Sequence, residues 1–139
     1  MRTIFDLREY RLADDRQKAA LVERIGGHHA PPPGVFEAVD DALAVYTLSR
    51  CPDLSAAARD GALSEAGAEE RAYEDVTSTW LEAFEGMPDM ARPAEGPDRI
   101  FQLRIYESPH GPAGRKKIEM FHRGELEIFD RVGLAAVFF

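Results

Sequence analysis

Two short segments of the chain carry the same chemically capable residues at the same spacing. The pattern Phe-x-Leu-Arg-x-Tyr occurs at positions 5–10 and again at positions 101–106. Because side chains alternate across a β-strand, each copy predicts a strand with Phe and Leu on one face and Arg and Tyr on the other. Arginine offers a planar fork of donors, and tyrosine offers a hydroxyl on an apolar ring. Together they suit an anionic or oxygenated organic ligand.

If both strands belong to one barrel whose helices cover a single face of the sheet, the apolar faces of both copies meet the helices and the polar faces line one shared cavity. The residues predicted to bind a ligand there are Arg8, Tyr10, Gln102, Arg104 and Tyr106. The alternative is that each arginine is structural and pairs with a nearby Glu or Asp. The two interpretations differ in what a substitution of Arg104 would change, which is ligand retention in the first and stability in the second.

Two residues near the C-terminus are candidates for acid/base catalysis. Glu125 lies within an apolar helical stripe, where an unpaired carboxylate is expensive to bury, and His122 lies on the shoulder of that stripe. A dry Glu beside a His could move a proton. The alternatives are a structural link from Glu125 to an Arg, a Tyr or the backbone, and a His122 exposed on the helix surface.

The sequence predicts no metal site. His28 and His29 are adjacent, but a closed site needs three or four converging ligands, and neither a Cys pair nor an H-E-x-x-H motif completes them. Cys51 is the only cysteine, so no disulfide can form within the chain.

Charge and hydropathy narrow the class of protein. The 139 residues include 17 basic and 25 acidic side chains, for a net charge of −8, which repels nucleic acid and acidic membranes. The first residues are charged where a signal peptide would be apolar, and no run reaches transmembrane length. A cytoplasmic protein that binds neither nucleic acid nor membrane is therefore expected.

Local patterns predict an α+β protein in two parts. The first, residues 1–87, reads as βαββαβ: a strand over 3–12, a helix capped by Asp14-Asp15 and stopped by Gly26-Gly27, a hairpin over 35–49, a helix from about 52, and a strand over 77–84. Residues 88–98 read as a linker. The second part, residues 99–139, reads as βαβ: a strand over 99–108, one helix over 115–132, and a strand from 135 onward.

The segments 100–108 and 116–139 closely resemble bacterial members of the NIPSNAP family. Residues 5–10 and 81–88 are similar to the family's first unit. The resemblance implies a ferredoxin-like βαββαβ unit followed by a partial second unit, in the dimeric α/β-barrel architecture of small antibiotic-biosynthesis monooxygenases and haem-degrading enzymes. Family members continue past the Val-Phe-Phe segment at 137–139, so the resemblance implies that another copy completes the barrel or that the chain is a shortened form. A homodimer or higher oligomer is therefore expected.

The resulting functional hypothesis is a NIPSNAP-like barrel that binds a small anionic or oxygenated hydrophobic molecule. Whether it is an enzyme stays open at this point; its acid/base groups favour cofactor-independent proton transfer or oxygenation over hydrolysis. Related barrels bind haem, but no axial ligand stands out, so no cofactor is predicted. The alternative is a noncatalytic interaction protein that assembles through its C-terminal strand.

Overall fold

The computed structural model of the protein describes residues 3–27, 34–51, 72–93 and 95–138. The chain forms two compact units, Met1–Glu82 (unit 1) and Ala83–Phe139 (unit 2). Unit 1 contains, in order, β1 (Ile4–Arg11), α1 (Asp15–Gly26), β2 (Gly34–Glu37), β3 (Ala44–Cys51) and β4 (Asp75–Glu82). Unit 2 contains α2 (Gly111–Met120), a π-helical segment (Phe121–Glu125) and α3 (Leu126–Arg131). The predicted linker at 88–98 stays a prediction.

Helix α1 begins and ends where the sequence predicts. The Asp14 carboxylate accepts hydrogen bonds from the backbone N–H groups of Arg16 and Gln17 at 3.0 and 2.9 Å. These bonds satisfy donors that the first helical turn leaves open. After Gly26, the N–H of Gly27 donates to the carbonyl of Glu23 at 2.9 Å. The predicted cap and stop are both confirmed.

The strands of unit 1 form a four-stranded antiparallel sheet in the order β2-β3-β1-β4. The hairpin and the fourth strand were both predicted, with ends shifted by one or two residues. In the sheet, Tyr10 of β1 lies opposite Val45 of β3 and Val76 of β4. The α+β class is confirmed, and the sheet order is consistent with a ferredoxin-like unit. The helix predicted from about residue 52 lies outside the described residues.

The core of unit 1 contradicts the predicted orientation of β1. Tyr10 is 2% exposed and belongs to the same buried cluster as Leu21 and Ile25 of α1. Because side chains alternate along a strand, Asp6 and Arg8 share this face with Tyr10. The prediction that the Phe5 and Leu7 face meets the helix, while the Arg8 and Tyr10 face points away from it, is therefore wrong. Alternation identifies two faces of a strand but does not say which one a helix covers.

The helix predicted over 115–132 is not continuous. It starts at Gly111, where the imidazole Nδ1 of His110 accepts the N–H of Ala113 at 3.2 Å. The chain then bends at Gly124, whose φ of 155° lies outside the helical region. Only glycine adopts such a φ readily, because it has no Cβ. The bend therefore falls at a glycine within the periodic apolar pattern of the sequence.

The two strands predicted for unit 2, over 99–108 and from 135 onward, do not form. In the described part of unit 2, the backbone over these segments is not part of a β-strand. The C-terminal segment makes a hydrogen bond from the Ala91 N–H to the Val137 carbonyl at 2.8 Å. A strand needs a ladder partner along its length, and one such bond does not make a sheet. Among the described helices, none combines the length and the apolar character needed to cross a bilayer.

Candidate functional site

The first copy of the repeat builds a buried polar network on the α1 side of the sheet. The Nε of Arg8 donates to Oδ2 of Asp6 at 2.7 Å, with side-chain exposures of 11% and 1%. Arg8 is also hydrogen-bonded to the Tyr10 side chain. The three residues occupy alternate positions of one strand, which is the spacing that places them on one face. We call Asp6, Arg8 and Tyr10 the strand network.

The strand network keeps the guanidinium charged. Burial by itself would lower the pKa of Arg8, but the Tyr10 hydrogen bond and the charge of Asp6 outweigh it, and the net direction is upward. Breaking a buried pair by removing one partner is costly, because it strands the other charge in a medium of low dielectric constant. Arg8 and Asp6 therefore depend on each other.

One carboxylate oxygen of the strand network has no hydrogen-bond partner. Among the described residues, Oδ1 of Asp6 is the buried side-chain oxygen that has no hydrogen-bond partner. A buried acceptor in this condition costs about 1–3 kcal/mol relative to a satisfied one. The Tyr10 ring also packs edge-on against the Tyr73 ring, with ring centroids 5.2 Å apart. The network thus contains one unused acceptor beside a cation that is already paired with the same carboxylate.

The second copy of the repeat makes a related but exposed arrangement in unit 2. The Nε of Arg104 donates to Oε1 of Gln102 at 2.9 Å, in the same i, i+2 relation as Arg8 and Asp6. The Arg104 guanidinium also lies over the ring of Phe129, 5.2 Å from its centroid. Tyr106 packs edge-on against Phe121, with ring centroids 5.5 Å apart. The predicted ligand-binding residues thus form one group within each unit.

Glu125 has a partner that the sequence analysis did not name. Its Oε1 accepts from Nζ of Lys117 at 2.9 Å, and the two side chains are 23% and 30% exposed. Eight residues of straight helix would separate their backbones by about 12 Å. The bend at Gly124 is what allows this contact. The Lys117 ammonium also lies 4.8 Å from the ring centroid of Tyr106 and 5.1 Å from that of Phe121.

His122 contacts residues 84–86, which lie near the start of unit 2. Its Nε2 accepts the N–H of Gly86 at 3.3 Å, and its ring meets Phe84 edge-on, with centroids 5.9 Å apart. A Cβ on Gly86 would lie 2.8 Å from the imidazole, so the absence of a side chain there permits the contact. The described structure thus joins His122 to Gly86 and Glu125 to Lys117, rather than joining the two candidates as a proton-transfer pair.

Within the described ranges, no group of three or more His, Cys, Asp or Glu side chains is arranged to hold a metal ion. His28 and His29 lie outside those ranges. The Cys51 side chain is buried.

The residues that sequence reasoning missed are Asp6 and Lys117. Asp6 occupies the variable second position of the repeat, and its i, i+2 spacing from Arg8 was the available signal. Lys117 gave no such signal, because its partner is brought near only by the bend at Gly124. No family model, curated protein or solved structure matches this chain.

Proposed function

We propose that the protein is a NIPSNAP-like α+β protein whose ferredoxin-like unit binds a small, largely apolar molecule carrying a hydroxyl group. The observation that supports this proposal is the buried, unused Oδ1 of Asp6 within the strand network. A hydroxyl of the ligand would donate to this oxygen. The sheet order β2-β3-β1-β4, with all neighbours antiparallel, supports the ferredoxin-like part of the proposal.

The strand network favours a hydroxyl over a carboxylate as the group recognised. The Arg8 cation is already balanced by Asp6 at 2.7 Å. An anion placed next to the free carboxylate oxygen would meet a like charge at low dielectric, whereas a hydroxyl hydrogen would complete the oxygen's coordination. Of the two ligand classes that the sequence suggests, the oxygenated neutral class therefore fits better than the anionic class.

A carboxylate that accepts a hydroxyl hydrogen is also placed to remove it. This gives the proposal a chemical extension, general-base activation of the bound hydroxyl by Asp6, with no cofactor. Binding is the primary proposal, and it does not depend on this extension.

The binding proposal is tested by native mass spectrometry of gently purified protein. We expect the wild-type chain to retain a small-molecule adduct and Asp6→Asn to lose it, since the amide weakens the acceptor. Glu9→Gln is the matched control, because it makes the same carboxylate-to-amide change at an opposite-facing position of β1, three residues from Asp6. A wild-type spectrum without adduct, or an adduct that Asp6→Asn retains fully, contradicts the proposal.

A second function, a noncatalytic interaction protein, is favoured by apolar exposure near the C-terminus. Val132 and Leu134 are 64% and 47% exposed. Exposed apolar side chains that lie together mark interaction surfaces. Ligand-free protein that captures itself or another chain through this region would favour this function over small-molecule binding.

A further inference from the structure

The second copy of the repeat leaves an unusually apolar segment in contact with water. Ile100 and Ile105 are 81% and 77% exposed, and Leu103 is 47% exposed. The same sequence skeleton in β1 lies between two neighbouring strands and is largely buried. Large apolar side chains exposed to this extent within one short segment indicate a site for a partner.

Contacts within unit 2 fix one side of this segment. Arg104 and Tyr106 rest against Phe129 and Phe121 of the helical region. Leu103 and Ile105 alternate with them, so in an extended conformation they face the other way. The segment therefore has one side packed on its own chain and one apolar side available.

When two copies of the segment run antiparallel, residues of matching chemistry lie opposite each other. If two copies run antiparallel and are centred on Leu103, Phe101 lies opposite the partner's Ile105, and Ile100 lies opposite the partner's Tyr106. Aromatic and β-branched residues are favourable cross-strand pairs. At the ends, Arg99 lies opposite the partner's Glu107, so opposite charges meet at both ends of the pairing. Gln102 lies opposite the partner's Arg104, where its carbonyl oxygen can accept.

Neighbouring registers lack this complementarity. A centre at Arg104 places the two arginines opposite each other, which is destabilising. A centre at Gln102 places Arg104 opposite Ile100 and Arg99 opposite Ile105. Each charged group then faces an apolar side chain. The Leu103 centre is the register of these three that matches every pair by chemistry.

We propose that residues 99–107 form an antiparallel strand pair with the same residues of a second copy of this chain, centred on Leu103. The symmetry is twofold, so each contact occurs twice and the interface is closed. The pairing supplies the ladder that the predicted strand over 99–108 needs. It is independent of the proposed ligand, because the strand network lies in unit 1 and takes no part in it.

Charge reversal at the two ends tests the interface without altering buried residues. Arg99→Glu places two glutamates opposite each other at both ends, and Glu107→Arg does the same with arginines. We expect each variant alone to dimerise about tenfold more weakly than the wild type in analytical ultracentrifugation. Mixing the two variants restores opposite charges at both ends, so the mixture is expected to form a heterodimer with near wild-type affinity.

The mixing experiment separates the interface from folding. Arg99 and Glu107 are both exposed, and circular dichroism of each variant should match the wild type. The double variant Arg99→Glu/Glu107→Arg is the second control, because it restores both pairs within one homodimer. A wild-type protein that stays monomeric at high micromolar concentration overturns the proposal. A mixture that associates no better than its components overturns it as well.

Discussion

The two copies of the repeat share four residue types at the same spacing and yet differ in structure. The first copy is a strand with neighbours on both sides, and its Tyr10 is 2% exposed. The second is not a β-strand, and its Tyr106 is 48% exposed. Both keep the i, i+2 contact to arginine, from Asp6 in one and from Gln102 in the other. Local sequence therefore determines the local side-chain contact, whereas ladder partners determine whether a strand forms.

The largest expected effect separates the two arginines of the repeat. Arg8→Leu leaves the Asp6 carboxylate buried without its cation, and we expect the free energy of unfolding to fall by about 3–5 kcal/mol. The matched change Arg104→Leu removes an exposed contact with Gln102 and Phe129, and we expect a loss below about 1 kcal/mol. Urea denaturation of both variants measures the difference. Equal losses would show that the two copies are in the same environment.

A second prediction concerns the bend that holds the second copy against its helical region. Gly124→Ala forces a Cβ onto a backbone with φ of 155°, although no atom lies within 4 Å of that position. The expected loss of about 1–3 kcal/mol is therefore a pure backbone effect. Gly26→Ala is the control, because that glycine also has free space but keeps an ordinary helical φ. It should leave stability unchanged or raise it slightly.

The same substitution has a spectroscopic consequence. If the helix straightens, Lys117 and Glu125 separate, and so do the rings of Phe121 and Phe129, which are 6.2 Å apart. Loss of nuclear Overhauser contacts between those rings in Gly124→Ala would confirm that the bend positions them. Retention of these contacts with unchanged stability would contradict the role given to Gly124.

The smallest expected effect is a pH dependence of folding stability, caused by Tyr46 in the sheet of unit 1. Burial and the charge of Glu9, which lies opposite in the ladder, raise the pKa of Tyr46 above its ordinary value of 10.0. As the pH rises past 10.0, the unfolded chain loses this proton before the folded chain does. The folded state then binds more protons, so stability falls with increasing pH.

Tyr46→Phe removes this contribution. We expect the stability of the variant to decline less than that of the wild type between pH 9 and 11, as measured by chemical denaturation. Identical slopes for the two proteins would contradict the assigned direction of the pKa.

Much of unit 1 was predictable from sequence because its signals are local. Asp14 caps α1 through its own side chain, and the acidic turn at 40–41 separates two short apolar strands. Each of these signals acts over a few residues. The partnership of Asp6 with Arg8 also lay within reach, since strand alternation places the two side chains on one face.

The errors arose where distant parts of the chain decide the outcome. Which face of β1 is covered depends on the side to which α1 returns, and no residue of β1 encodes this. The bend at Gly124 competes with a strong helical pattern, and a sequence window does not show that Lys117 and Glu125 gain a contact when the helix breaks. The alternating pattern at 99–108 is typical of a strand, but a strand also requires a neighbouring strand to hydrogen-bond with.

The hydrogen bond from Gly86 to His122 determines which ring nitrogen of the imidazole carries a hydrogen. Because Nε2 accepts the amide hydrogen, the ring carries its own hydrogen on Nδ1 while the bond persists. Nitrogen-15 chemical shifts of the imidazole should therefore report a single tautomer, with its hydrogen on Nδ1, and loss of this signature would mark the release of residues 84–86 from the ring.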